Sequence, residues 1–203
     1  MDRNYLFNTF DLRNVIEGHE QKMIQEIETL NKEELLKSSD EIIARFENDY
    51  KIIVPLLLED KITHRVEDAD IDVSQDFSRG ILDRSNPFYV SGTEITFFLP
   101  FEGDGELLKC QSSRWSTNPP RATVENNKII IKYKSTTMDT QEVRKQLDTT
   151  ISQIKELLMG TANDAIIFND SLRGKIENRL NTRKDKLEKD QKLSSDLGFP
   201  EEK

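Results

Sequence analysis

Three aspartates alternate at Asp68, Asp70 and Asp72, with Glu67, Asp76 and His64 close by in the chain. Residues two apart project from one face of a strand. Three carboxylates so placed would offer the oxygen ligands that Mg²⁺ or Ca²⁺ prefers. With a histidine as general base they outline a metal-dependent hydrolase. An EF-hand is excluded, because Val73 stands where its glycine is needed and Arg79 where the closing glutamate would be. The ordinary alternative is a solvated acidic strand face, or charge that discourages pairing at a sheet edge.

A second set is Arg114-Trp115-Ser116-Thr117-Asn118-Pro119-Pro120-Arg121, which joins the only tryptophan to two arginines and a rigid diproline. Lys109, Lys128, Lys132 and Lys134 lie on the strands expected to flank it. An aromatic ring in a basic surround can hold single-stranded nucleic acid or a peptide. The candidate ligand-binding residues are Arg114, Trp115, Arg121 and Lys132. The alternative is that Trp115 caps one end of the core while the prolines stiffen the connection. Gly103-Asp104-Gly105 lacks the Gly-Lys-Ser/Thr of a phosphate loop and reads as a turn. Cys110 has no base beside it and reads as a buried, unreactive thiol. His19 and His64 are far apart and read as polar surface or interface residues. No catalytic residue and no cofactor is assigned.

The elements that must carry these residues follow from period. Val15, Met23, Ile24, Ile27 and Leu30 share a helical face, and Leu35, Leu36, Ile42, Ile43, Phe46 and Tyr50 continue it. Asn31, three residues before Glu34, resembles a capping box and predicts a fresh start or a kink. Ile52 to Leu58 reads as a buried connector. Ile62, His64 and Val66 take one parity and Ala69, Ile71 and Val73 the other, which predicts a bulge or break near Asp68. Residues 75–90 read as a loop with a short strand at Phe88-Tyr89-Val90. Ile95, Phe97, Leu99 and Phe101 alternate as a half-buried strand, with Leu107 to Cys110 expected to return beside it. A second hairpin joins Ala122-Thr123-Val124 to Ile129–Tyr133 through Asn126-Asn127, since asparagine tolerates positive φ.

After Asp139 the helical period returns. Leu147, Ile151, Ile154, Leu158, Ala165, Phe168 and Leu172 form a seam with polar Thr161 as its exception, and a seam of that spacing must meet a partner surface. Gly160 predicts a kink or break. From Arg173 to Lys192 the chain is densely charged around a thin apolar line, and Leu172, Ile176, Arg179, Leu180, Arg183 and Leu187 are the candidate interaction residues of this arm. The fold class is therefore α+β: a small, mainly antiparallel sheet framed by N-terminal amphipathic helices and a long C-terminal helix. The expected organisation is a single body over 1–172, with helices at 14–50, the sheet at 60–135 and a helix at 139–172. A charged helical arm and tail follow over 173–203.

Composition narrows the function. The net charge of −9 argues against sequence-independent nucleic-acid binding by the whole surface, which needs lysine and arginine to displace counterions. A single cysteine excludes a disulfide framework and suits a cytoplasmic setting. Met1 to Phe7 lacks the basic-then-apolar order of a secretory signal, and no run is long enough to span a membrane.

Ile95 to Leu108, with Pro100-Phe101-Glu102-Gly103-Asp104, together with Ser116 to Arg121, resembles the amino-terminal module of uncharacterised bacterial proteins that carry a downstream restriction-endonuclease-like nuclease domain. The resemblance extends through Lys184–Asp190 to Gly198-Phe199-Pro200. It implies an accessory or sensing module. The nuclease centre is not carried over: Glu20-Gln21-Lys22 has the Glu-x-Lys spacing but falls in a helix rather than at a strand end.

The expected function is a non-enzymatic interaction or regulatory module, with the C-terminal helix docking a protein partner or forming a homo-oligomer. The alternatives are a nucleic-acid-binding accessory domain of a nuclease system and a metal-dependent hydrolase on the acidic strand.

Overall fold

The computed structural model describes residues 5–199; the start read for a signal, Met1–Asn4, and the tail Pro200–Lys203 lie outside the described residues. In chain order the strands are β1 (Phe10–Asp11), β2 (Leu56–Leu57), β3 (Thr63–Asp72), β4 (Tyr89–Glu102), β5 (Cys110–Gln111), β6 (Thr123–Glu125) and β7 (Lys128–Ser135). The helices are α1 (Leu12–Thr29), α2 (Lys32–Leu35), α3 (Ser39–Tyr50) and α4 (Thr140–Leu197). The architecture is α+β with an antiparallel sheet and a long C-terminal helix. Two compact units divide it: one takes the described residues through Phe10 with Val54–Thr161, the other Asp11–Ile53 with Ala162 onward. The boundary on the last helix thus falls between Thr161 and Ala162 rather than at 172.

The first unit is built on a five-stranded antiparallel sheet. β4 is its central strand, flanked by β2 and β3 on one side and by β7, then β6, on the other. The β6–β7 turn carries φ of 50° at Asn126 and 56° at Asn127, the left-handed pair that matches strand twist. Leu99 and Phe101 on β4 and Ile129 and Ile131 on β7 form one buried face, closed by Leu147, Ile151, Ile154, Leu157 and Leu158 of α4. Each such side chain contributes on the order of 1.5–3 kcal/mol when fully buried.

Several expectations change here. β3 pairs with β4 in unbroken register from Thr63↔Phe98 to Asp72↔Tyr89, with no bulge near Asp68. The two parities do not conflict because the strand buries neither: eight of its ten residues are exposed. Phe88-Tyr89-Val90 is not a separate strand; Tyr89 opens the fourteen-residue β4. Leu107–Lys109 does not return beside β4 but forms a 3₁₀ turn from Gly105, with Asp104 Oδ1 accepting from Glu106 N at 2.9 Å. β7 takes the place beside β4 instead. The Ile52–Leu58 stretch is not a buried connector, since Ile53 and Leu56 are exposed and Leu56–Leu57 forms β2.

The second unit is helical. Asp11 caps α1 by accepting from Arg13 N at 2.8 Å. Asn31 and Glu34 form the reciprocal capping box, each bond 2.9 Å, so the chain restarts at α2 as its spacing predicts. Met23, Ile27, Leu30, Ile42, Ile43 and Phe46 pack with Phe168, Leu172, Ile176 and Leu180 of α4. The guanidinium of Arg183 donates to Leu30 O at 3.0 and 3.2 Å, satisfying a carbonyl at the end of α1. His19 is a packed residue rather than a surface one: its Nε2 lies 3.0 Å from Tyr50 O and its ring contacts Tyr50 and Phe168.

α4 does not break at Gly160. A Cβ there would lie 2.7 Å from Ser112 Oγ and 2.9 Å from Arg114 Cβ, so glycine marks a close approach of the loop after β5 rather than a helix end. The polar exception in the seam is also satisfied, with buried Thr161 donating through Oγ1 to Leu157 O at 3.2 Å.

Candidate binding site at the Trp115 loop

The loop from Ser112 to Arg121 is held at several points. Ser112 Oγ donates to Arg114 O at 2.8 Å, and Gly160 lets this stretch lie against α4. At the far end Leu6 N donates to Pro120 O at 3.0 Å. Arg121 Nε donates to Tyr5 Oη at 2.9 Å and its guanidinium lies over the Tyr5 ring. Pro120 and Ala122 are buried. Between these anchors Trp115 is 62% exposed. It does not cap the core.

Two hollows share Trp115 in their lining. One, of about 380 Å³, is lined by Arg114, Trp115, Asn118 and Pro120 with Gln153 and Glu156 of α4. The other, of about 390 Å³, is lined by Tyr5, Asn8, Gln111, Trp115, Thr117 and Pro119. Two aromatic rings and two prolines thus supply apolar surface, while amide and hydroxyl groups supply donors and acceptors. That mixture suits an extended polypeptide, whose main chain needs hydrogen bonds while its side chains need apolar contact.

Of the four residues assigned to ligand binding, Arg114 and Trp115 line a common hollow and Arg121 reaches its neighbour through Tyr5. Lys132 is elsewhere. It aligns with Thr96 across β4 and β7, on the sheet face opposite Leu99 and Ile131, and its Nζ lies 3.1 Å from Glu94 Oε1. Lys134 lies 2.8 Å from Glu94 Oε2 on the same face. Lys134 and Lys132 hold the Glu94 carboxyl down at about pKa 2, outweighing the burial that would raise it. Thr96 Oγ1 adds a bond to Glu94 Oε1 at 3.2 Å. Two of the lysines expected around Trp115, Lys132 and Lys134, thus neutralise a buried carboxylate instead, Lys109 pairs with Glu106 at 2.7 Å, and Lys128 Nζ lies 5.9 Å from the centre of the Phe98 ring. The basic surround of the tryptophan reduces to its two arginines.

Asp68, Asp70 and Asp72 do share one face of β3, but they do not make a metal site. Same-face neighbours on a strand stand about 6.5–7 Å apart, too far to converge without a bend. Asp72 is also engaged: its Oδ1 accepts from Ser74 N at 2.9 Å and Phe88 N at 3.1 Å, closing the base of the 73–88 loop. Those backbone donors, Ser74 first, hold its carboxyl below the usual range. Among the described residues no three His, Cys, Asp or Glu side chains are gathered to hold a metal ion. Arg84 completes the loop by donating to Ser74 O, Asp76 O and Arg79 O.

The arm residues are placed as follows. Leu172, Ile176 and Leu180 are buried in the helical core, Arg183 binds Leu30 O, and Arg179 is exposed 3.8 Å from Glu28. Leu187 is half-buried. The first three cannot also face a partner. Cys110 is buried, its thiol pushed up to about 11 chiefly by desolvation, as the sequence suggests. No described helix is long and apolar enough to cross a membrane. Compared with protein-family models, with curated proteins and with solved structures, the chain matches none of them.

Proposed function

We propose that this protein is a non-enzymatic interaction module that docks an extended segment of a partner protein on its Trp115 loop. The observation that carries the reading is a tryptophan left 62% exposed on a loop pinned at both ends. A large ring on a rigid loop gains apolar contact on binding while losing little conformational freedom, which is why tryptophan recurs at the centres of interfaces. The helix seam does not support docking as strongly, because Leu172, Ile176 and Leu180 are spent on the chain's own core. Nucleic acid is the weaker alternative, since Lys132 and Lys134 are committed to Glu94. The resemblance to modules beside nuclease domains fits an accessory role of this kind.

Panning a random peptide library on the full chain, then titrating the selected peptides by anisotropy, tests the reading. Trp115→Ala should weaken them by at least about 2 kcal/mol, roughly thirtyfold. Selected peptides that bind the variant as tightly as the original chain would overturn it. A labelled oligonucleotide that binds at low salt and is lost on Trp115→Ala or Arg121→Glu would favour nucleic acid instead.

A further inference from the structure

β3 has β4 as its one hydrogen-bonded neighbour among the described residues. In an antiparallel pair, alternate residues direct their backbone groups away from the partner. About half of the ten residues therefore present N–H and C=O groups at an open edge. Eight of the ten are exposed. An open edge of this length is a template for a further extended chain.

The side chains along the edge select what that chain is. His64, Val66, Asp68, Asp70 and Asp72 share one face, because their β4 partners Phe97, Ile95, Thr93, Ser91 and Tyr89 lie on the face of Leu99 and Phe101. Among the described residues Asp68 and Asp70 stand in no ion pair, whereas Arg65, the only lysine or arginine of β3, is engaged by Glu67 at 2.9 Å. The edge is therefore acidic on balance. In an antiparallel pairing of two copies over the whole edge, Asp68 of each would stand opposite Glu67 of the other, a like-charge pair made twice, and the one cation met, Arg65, is already engaged by Glu67, which is unfavourable.

We infer that β3 is a docking edge for a basic extended segment with lysine or arginine at every second position. The segment adds as a further strand, its main chain bonding to the open edge and its cations lying beside Asp68 and Asp70. This surface involves no residue of the Trp115 loop, so either can fail without the other.

The test uses the full chain and a short labelled peptide alternating lysine and threonine, read by anisotropy at low salt. The same peptide N-methylated at alternate peptide bonds keeps the charge but cannot pair, and should not bind. Asp68→Lys with Asp70→Lys should weaken the unmethylated peptide roughly tenfold or more. Asp185→Lys on α4 and Trp115→Ala should leave it unchanged. Amide exchange in Thr63–Asp72 should slow when the peptide is present. Equal binding of the methylated peptide, an equal loss with Asp185→Lys, or no binding of the unmethylated peptide each overturns the inference. So does a dimer that forms through this edge and excludes the peptide.

Discussion

The two halves of α4 carry one periodic text and meet two different surfaces. Leu147, Ile151, Ile154 and Leu158 close the core of a sheet, while Ala165, Phe168, Leu172, Ile176 and Leu180 are buried in the helical unit. Ile154 and Ile176 are each fully buried, yet the first has strand residues for neighbours and the second α1 and α3 residues. A helix stripe is an apolar surface without preference for what covers it. What distinguishes the halves is their small residues. Gly160 sits under the Trp115 loop with no space for a Cβ, whereas Gly174 has nothing within 4 Å of where one would be.

The sharpest way to break this comparison is to open a cavity in each half. Ile154→Ala and Ile176→Ala should each cost about 3 kcal/mol, within the range for large-to-small changes in a core. Amide exchange mapped along the chain should separate them: the first loosens β4 and β7, the second α1 and α3. If both variants loosened the same amides, the division into two cores would fail.

The glycines give a smaller and opposite pair of effects. Alanine returns about 1 kcal/mol of helix propensity, so Gly174→Ala should stabilise the chain by up to that amount in denaturant unfolding. Gly160→Ala forfeits the gain, because its methyl meets Ser112 and Arg114 and must displace the loop. It should destabilise by about 1 kcal/mol and shift the emission of Trp115, the only tryptophan. A stabilising Gly160→Ala with unchanged emission would show that the loop does not rest on the helix.

The smallest effect concerns Glu94, the charged side chain buried in the sheet unit. Glu94 has a folded pKa of about 2 against an ordinary 4.5. Its depressed pKa means that its contribution is complete above about 4.5 and is lost as pH falls through about 2. Lys132 and Lys134 are half-exposed, so solvent screening keeps the effect modest. Comparing Glu94→Gln with the original chain by chemical denaturation, the stability gap should be widest near neutral pH and narrow towards pH 2. A gap independent of pH would mean that the ion pairs add nothing to folding.

Much of this was legible in the residues because it is local. The capping box at Asn31, the turn at Asn126-Asn127 and the alternation of Phe97, Leu99 and Phe101 each depend on neighbours a few positions away. The Trp115 loop stood out for the same reason, as an aromatic with two arginines and a diproline in one stretch. The errors fall where a residue's role depended on distant chain. Local sequence groups Lys132 with Trp115, but pairing with β4 sets it beside Glu94. A polar position at Glu94 opposite lysines spaced by two becomes a signal only once that register is known. Asp72 resembled a metal ligand and serves as the clasp of a loop sixteen residues long.

The sequence by itself determined those elements that local pattern fixes: the helical stretches around Asn31 and after Asp139, the alternation of Phe97, Leu99 and Phe101, the capping box at Asn31, the turn at Asn126-Asn127, and that a long seam must be buried. These follow from backbone geometry and from the 3.6 and 2.0 periods of side-chain direction. Only the tertiary structure decided what each surface meets: that the seam divides between a sheet and a pair of helices, that Gly160 is a notch, that Trp115 is left uncovered and that β3 keeps an open edge. Burial of an apolar stripe is non-directional. Periodicity therefore states that a face will be covered, and only the packed chain states by what.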